Sequence, residues 1–371
     1  MGILEFIVPF LVLLTIVVFI HEYGHYYFAR KYGVGVTDFS IGFGKEIFGF
    51  NDKDGTRWKF CLIPLGGYVK FFGDRNVFSQ SENEELLKKY SKEDQGKLFV
   101  VKPVYQRSLI VFGGPLANFL LAIIIFTLIN MFSGKDLTPA KIQEVQKDTP
   151  AFVSGLKKDD VIFSIEGNEV NSILDVSTYI NATTSDEIQI KVLRKNDEII
   201  FLIKPDIIKS KDSLGNDINK KVIGIKIGPA NGDFNKEKLG PVKAVIFAVK
   251  ETWFVTKTSL KFIIQLLKGK GDTTQLGGPI KIAKVTGQVA QHGILAFFSI
   301  TAYISISLGL INLFPIPLLD GGHLMFYAIE KILGRPLTQK TQEHFFRIGL
   351  FLLFSLMFFT TFNDLKDIGV F

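Results

Sequence analysis

Apolar residues are concentrated in four long segments of the chain, with stretches of mixed polarity between them. The segments cover residues 3–28, 109–132, 294–319 and 345–362. Each approaches the roughly 20 consecutive residues that a helix needs to cross the hydrocarbon core of a bilayer. The pattern therefore predicts an α-helical polytopic membrane protein with four transmembrane helices.

The charges that flank these segments predict their orientation. No Lys or Arg precedes the first segment and no small-residue cleavage site follows it, so it is not expected to be a cleaved signal peptide. Lys and Arg are frequent in residues 29–108 and between the last two segments, and they are rare at both ends of the chain. The positive-inside rule then places both connections in the cytoplasm and residues 133–293 outside it.

The long connection between the second and third segments begins with alternating apolar and polar residues, as in "DDVIFSIEG" and "EIQIKVLRKNDEIIFLI". Such alternation is typical of strands with one buried face. The stretch "TPAFVSGLKKDDVIFSIEGNEV", residues 149–170, resembles the PDZ domain, in which a helical turn precedes a strand and a tight turn. The resemblance covers residues 138–206, so the sequence predicts one inserted PDZ-like β domain.

Residues 241–270 follow a helical pattern, because lysines at intervals of seven and four share one helical face. We expect an amphipathic helix that lies on the outer membrane surface or packs on the helical bundle. The predicted domains are the first two membrane helices with a β segment, the PDZ-like domain, a linker with amphipathic helices, and the last two membrane helices. Their bounds are residues 1–132, 133–210, 211–293 and 294–371.

Composition narrows the possible functions. Hydrophobic residues make up 47% of the 371 residues and the mean hydropathy is +0.27, which fits a membrane protein with a sizeable soluble part. A single cysteine, Cys61, excludes an intrachain disulfide and a thiolate metal site. The net charge of +7 is dispersed and no nucleic-acid motif accompanies it, so a basic surface near the membrane is expected and a nucleic-acid partner is not.

The first apolar segment ends in the motif "HEYGH", residues 21–25. On a helix, His21 and His25 lie on one face and can direct both imidazoles at one metal ion. Glu22 lies about a third of a turn away, within reach of a water on that metal. This is the H-E-x-x-H pattern of zinc metalloproteases, in which zinc lowers the pKa of its water to roughly 7 and the Glu accepts the proton.

A catalytic zinc site usually has three protein ligands, and the residues directly after His25 offer no third one. The best candidates lie in "NLFPIPLLDGGH", residues 312–323, where Asn312 and two prolines interrupt the third apolar segment. Asp320 follows in a predicted turn, and a carboxylate at such a break in a membrane helix is a candidate for function. His323 is a second candidate that the residues alone leave open.

The combination of motifs resembles the site-2 protease family of intramembrane zinc metalloproteases, and within it the bacterial regulator of sigma-E protease type. The matching elements are "HEYGH" (21–25), "GGPLANF" (113–119), the PDZ-like segment and "NLFPIPLLDGGH" (312–323). Many proteins of this type have two PDZ-like domains in tandem, whereas this chain has room for one. A size-exclusion role of paired domains is therefore in doubt here.

The resemblance implies roles for individual residues. His21, His25 and Asp320 would bind Zn²⁺, which selects Asp320 over His323 as the third ligand. Glu22 would be the general base, and Asn312 would contact the substrate backbone or the developing oxyanion.

The segment "TRWKFCLIPLGGYVKFFG", residues 56–73, resembles the family's re-entrant β-hairpin. Apolar arms flank a predicted turn at Pro64–Gly67. The edge around Gly66 and Gly67 would bind an unwound substrate helix by strand addition, while an ordinary cytoplasmic hairpin is the alternative.

These features predict an intramembrane zinc endopeptidase that cuts single-span membrane proteins, such as anti-sigma factors or remnant signal peptides. The resemblance implies a bacterial inner membrane location and a role in stress response. The orientation predicted from the charges places the zinc site near the cytoplasmic side, since the first and third segments both end there. Expected partners are the substrate's transmembrane helix, a peptide or protein ligand of the PDZ-like domain and the lipid bilayer. The alternatives are a non-enzymatic PDZ-type membrane adaptor and a membrane metal-binding or transport protein.

Overall fold

The computed structural model describes residues 2–73, 90–211, 217–230, 232–269, 273 and 276–367. Its α-helices are α1 (Ile3–Lys31), α2 (Lys92–Gln95), α3 (Val104–Phe132), α4 (Pro150–Val153), α5 (Ile173–Ala182), α6 (Pro241–Leu267), α7 (Pro279–Ala290), α8 (Ile294–Asn312), α9 (Asp320–Leu333) and α10 (Gln339–Asp367). Its strands are β1 (Val36–Asn51), β2 (Arg57–Phe71), β3 (Lys135–Asp136), β4 (Ala140–Val145), β5 (Val161–Ile165), β6 (Asn168–Glu169), β7 (Ile188–Arg194), β8 (Asp197–Ile203), β9 (Asp206–Lys211), β10 (Asp217–Val222), β11 (Ile225–Pro229) and β12 (Lys236–Glu237).

The chain forms two compact units. The first combines residues 1–125 with residues 272–371, and the second consists of residues 126–271. The first unit therefore brings together the two ends of the sequence that contain the predicted metal-ligating residues.

Among the residues that the structure describes, four helices (α1, α3, α8 and α10) are long and apolar enough to cross a membrane, which confirms the prediction of four such segments. The third is shorter than predicted, because α8 ends at Asn312 and residues 313–319 are not helical. Pro315 and Pro317 explain the break, since each lacks an N–H and disfavours the helical conformation of the residue before it. The prediction of a turn at Asp320 was wrong, because Asp320 is the first residue of α9.

Close packing of glycines joins α1 to α3 in the first unit. A Cβ atom added to Gly113 would lie 2.6 Å from the Gly24 carbonyl oxygen, so no larger residue fits there. Small residues are the usual means by which membrane helices approach closely. This contact brings the α1 face that carries His21 and His25 against α3.

The antiparallel pair β1 and β2 packs beside α1 in the same unit. The chain turns at Asp52–Thr56 between the two strands. It also reverses within β2, because Phe60 and Gly67 both pair with Ile41, and this reversal agrees with the predicted turn at Pro64–Gly67. Those residues belong to β2, where Gly67 pairs with Ile41 of β1. Gly66 adopts φ +118°, a conformation open to glycine, and it lies against the Phe43 ring.

A buried carboxylate ties the last helix of the chain to α7. Asp364 is 1% exposed and accepts hydrogen bonds from the backbone N–H groups of Gly278 (2.8 Å), Ile280 (3.0 Å) and Lys281 (3.0 Å). These N–H groups belong to the start of α7, where a helix has no internal partners for them. Asp364 therefore holds the C-terminal end of α10 to the N-terminal end of α7.

The second unit is β-rich, as the alternating pattern predicts. Its main sheet has the strand order β11-β4-β5-β7-β8, with β6 paired to β5, and α5 packs on it. The core consists of apolar side chains from every second strand position, among them Ile142, Ile162, Ile190 and Ile203. Asp160 is fully buried and accepts two hydrogen bonds of 2.7 Å from the Arg194 guanidinium.

The predicted helix at 241–270 forms as α6. Ala244, Ala248 and Thr252 are buried, whereas Val242, Trp253 and Leu267 are exposed, so α6 presents an apolar surface together with its lysines.

Candidate metal centre

Three predicted ligands from opposite ends of the sequence meet in the first unit. His21 and His25 lie one turn apart on α1, and their Nε2 atoms are 3.2 Å apart. Asp320, at the start of α9, places Oδ2 3.2 Å from His21 Nε2 and Oδ1 3.5 Å from His25 Nε2. One ligand atom from each of the three residues lies within 4.8 Å of the others, so a single ion can contact all three.

The spacing of these atoms fits zinc. A tetrahedral zinc site with bonds of about 2.0–2.1 Å holds its ligand atoms roughly 3.3 Å apart, close to the separations of 3.2–3.5 Å here. Asp320 Oδ2 is buried and has no hydrogen-bond partner among the described residues. A buried carboxylate oxygen without a donor is costly unless a cation binds it. Two imidazoles and one carboxylate also leave one position open, as catalytic zinc sites do.

Helix α3 supports the far side of both imidazoles. His25 Nδ1 is 2.9 Å from the Ile110 carbonyl oxygen, and His21 Nδ1 is 3.2 Å from Nδ2 of Asn118. Both rings also lie against Gly114, where an added Cβ atom would be 2.4 Å from His25 Nε2 and 2.8 Å from His21 Cε1. Sequence reasoning missed these contacts, although Gly114 and Asn118 lie in the motif "GGPLANF" that contributed to the resemblance.

The other predicted site residues line one cavity of about 340 Å³ together with the three ligands. Glu22, Asn312, Gly66 and Gly67 all contribute to its wall, and so does His323. Asn312 Nδ2 is 3.4 Å from His21 Nε2. The volume is within the range of pockets that bind small ligands or short peptide segments.

Gly67 brings β2 against the helix that carries Glu22. A Cβ atom added to Gly67 would lie 3.1 Å from Glu22 Cγ and 3.0 Å from Val18 Cγ1. Only a residue without a side chain lets the strand approach α1 this closely.

A buried ion pair fixes α9 against the start of α3. Arg107 donates two hydrogen bonds to the Glu330 carboxylate, at 2.6 Å and 3.1 Å, and a third, of 2.9 Å, to the Lys102 carbonyl oxygen. Both side chains of the pair are less than 15% exposed. Since Asp320 is on the same helix as Glu330, this pair helps to set where the third ligand lies.

Comparison with known proteins identifies the family of this chain. The family model described as "peptidase family M50" matches residues 9–356. The chain belongs to peptidase family M50. Two relatives are each 40% identical, and both have the name "putative zinc metalloprotease". The relative from Agrobacterium fabrum aligns over 98% of this chain and 96% of its own length, and that from Mesorhizobium japonicum over 97% and 98%. Metalloprotease MmpA of Caulobacter vibrioides is 34% identical over 100% of this chain and 98% of its own length.

This M50 protein is therefore a zinc metalloprotease of the site-2 protease type, as the resemblance implies. Zinc is its cofactor, and its four long apolar helices fit a multi-pass membrane protein. Membership of this family argues against the two alternatives considered above, a non-enzymatic membrane adaptor and a membrane metal-binding or transport protein.

Proposed function

We propose that this M50 metalloprotease is an intramembrane endopeptidase that cuts the membrane-spanning segment of single-span proteins. The observation that carries the proposal is the meeting of His21, His25 and Asp320 in a cavity walled by α1, α3 and α8, three helices long and apolar enough to cross a membrane. A substrate that reaches these ligands would itself have to enter between apolar helices. Anti-sigma factors with one span and remnant signal peptides have the required form.

The proposed chemistry divides between the metal and the chain. A bound zinc ion supplies a Lewis acid that polarises the scissile carbonyl and acidifies a water molecule. His21, His25 and Asp320 would hold the ion. Glu22, in the wall of the same cavity, would accept a proton from the attacking water and pass it to the leaving amine.

The same cavity wall suggests how the substrate is oriented. Asn312 lies where α8 ends, and its amide nitrogen is 3.4 Å from His21 Nε2, so it is suited to donate a hydrogen bond to the substrate carbonyl or the developing oxyanion. Gly66 and Gly67 belong to a strand that lines the cavity, which favours binding of an extended substrate by strand addition. A helical peptide bond is shielded by its own hydrogen bonds, so extension has to precede attack.

The exposed apolar side chains of the β1–β2 pair support insertion of this pair into the bilayer. Phe48 and Leu62 are more than 60% exposed and Phe60 is 41% exposed, which favours contact of these side chains with lipid. We propose that β1 and β2 form the re-entrant hairpin beside the metal centre.

The remaining assignments concern location and partners. The distribution of Lys and Arg supports a metal centre near the cytoplasmic side of a bacterial inner membrane and an extracytoplasmic β domain. The turn in which Glu166 and Gly167 have φ values of +52° and +75°, between β5 and β6, supports the PDZ-like assignment of that domain. Its ligand would be a peptide or protein segment outside the cytoplasm, and a stress response is the expected setting.

The proposal is tested with purified full-length protein in liposomes and a single-span reporter substrate. Glu22→Gln should keep one zinc ion per chain and cut the reporter roughly 10²- to 10⁴-fold more slowly, because the amide cannot accept the proton. The wild-type protein and a variant remote from the cavity, Lys226→Gln, serve as references. Undiminished cleavage by Glu22→Gln would refute the assignment, and cleavage only of soluble peptides would refute the intramembrane substrate.

A further inference from the structure

The two imidazoles need the same tautomer if both are to bind a metal through Nε2. The proton must then be on Nδ1, which leaves the lone pair of Nε2 for the ion. For His25 the structure supplies the reason, because Nδ1 is 2.9 Å from the Ile110 carbonyl oxygen, and a carbonyl can only accept. His21 needs an equivalent acceptor at its own Nδ1.

The group at that position is the Asn118 carboxamide. Its Nδ2 is 3.2 Å from His21 Nδ1, an arrangement that would put the proton on Nε2 and turn it toward the metal. The Oδ1 atom of Asn118 is buried and has no hydrogen-bond partner among the described residues. No donor therefore holds Oδ1 in that orientation, and a half-turn of the amide exchanges two ends of nearly equal size.

The backbone around Asn118 is fixed, so the amide cannot leave the imidazole. Asn118 is fully buried, and its carbonyl oxygen accepts a 2.9 Å hydrogen bond from Ser305 Oγ on α8. Helix α8 approaches so closely that a Cβ atom added to Gly309 would lie 3.2 Å from Asn118 Cβ. Rotation about the end of the side chain is the freedom that remains.

We propose that Asn118 is a positioning residue that turns its carboxamide oxygen toward His21 and accepts the Nδ1–H. His21 Nε2 then keeps its lone pair for the metal, just as the Ile110 carbonyl secures Nε2 of His25. Helix α3 would thus orient both ring ligands, one through a backbone oxygen and one through a side-chain oxygen. The inference rests on the proposed role of His21 as a ligand and extends it to the residue that sets its tautomer.

The experiment measures zinc affinity by competition with a fluorescent chelator, using purified full-length protein in detergent. Asn118→Leu removes the acceptor at similar size, and we expect zinc affinity to fall roughly 10- to 100-fold, as for other outer partners of metal-binding imidazoles. Asn118→Asp offers only acceptor oxygens when ionised, and we expect it to bind zinc within about threefold of wild type. Thermal unfolding of each zinc-loaded variant identifies chains that have lost their fold.

Ser305→Ala is the matched structural control, because it loosens the same α3–α8 contact without touching the imidazole. Its zinc affinity should equal that of wild type, whereas a fall as large as that of Asn118→Leu would overturn the proposal. A folded Asn118→Asp variant that loses zinc tenfold or more would also overturn it, because the amide would then act as a donor. That result decides the question even where Asn118→Leu does not fold.

His21→Ala separates failure of this inference from failure of the proposed function. Loss of zinc in His21→Ala with unchanged affinity in Asn118→Leu would reject the role of Asn118 alone. Unchanged affinity in His21→Ala would reject the proposed ligand set itself.

Discussion

Replacing Gly114 by alanine adds one methyl group at the point where both imidazoles rest on α3. The added Cβ would lie 2.4 Å from His25 Nε2 and 2.8 Å from His21 Cε1. Ordinary contacts begin near 3.4 Å, so the two rings would have to retreat by about 1.0 Å and 0.6 Å. No other side chain in the cavity is altered by this substitution.

The size of that displacement determines the expected effect. Metal–ligand distances are held to about 0.2 Å, so the rings would move roughly three to five times further than the site tolerates. We expect zinc affinity to fall roughly 100-fold, which corresponds to about 2.7 kcal/mol. Overpacking between α1 and α3 should also destabilise the fold by about 1–3 kcal/mol.

The assay combines chelator competition with thermal unfolding in the presence and absence of added zinc. Wild-type protein should gain stability from zinc, because the ion binds the folded chain, and Gly114→Ala should lose most of that gain. Gly96→Ala is the control, since a Cβ atom there would meet its nearest neighbour at an ordinary 3.5 Å. Zinc affinity in Gly114→Ala equal to that of the control would show that the imidazoles do not rest on α3 as described.

Three further substitutions test other parts of the structure. Asp320→Ala should lower zinc affinity by more than about 100-fold, because loss of a residue that only hydrogen-bonds to a metal ligand already lowers metal affinity roughly 10- to 100-fold. Metal analysis that finds one zinc ion per chain in this variant would contradict the prediction. Arg107→Met should destabilise the protein by about 3–5 kcal/mol because it leaves Glu330 buried and unpaired, and adding Glu330→Leu should recover much of the loss in thermal unfolding. The pKa of Asp52 is lowered, because hydrogen bonds from Trp58 and neighbouring groups outweigh the effect of burial, which raises it. Its contribution to the β1–β2 turn is therefore present above about pH 4 and is lost as the pH falls through the lowered pKa. The protection of amide hydrogens in this turn, relative to their intrinsic exchange rates, should therefore fall at acidic pH in wild type but not in Asp52→Asn.

Much of the helical architecture could be predicted because its signals are local. The four apolar segments differ in composition from everything between them, and the spacing of His21 and His25 sets their common face on any helix. The break at Asn312 was also visible, since two closely spaced prolines follow it and each one disfavours continuation of the helix. The exact start of α9 was not, because a Leu-Asp-Gly-Gly sequence suits a turn as well as the first turn of a helix.

The errors and omissions concern contacts between residues distant in sequence. The turn at Asp52–Thr56 was not predicted, and neither was the pairing of Ile41 with both Phe60 and Gly67. Asn118 contacts His21 although the two residues are 97 positions apart in the sequence, and the local pattern of α3 does not predict that contact. Such features depend on how two elements pack, which composition and periodicity do not encode.

The long sequence separation within the metal centre has a consequence for the newly made chain. Residue 320 is translated 295 positions after His25. At roughly 5–20 residues per second, the ribosome needs about 15–60 seconds to cover that distance. Throughout this interval the nascent chain has both imidazoles without the carboxylate that joins them, so a fragment released early cannot cut the membrane proteins around it.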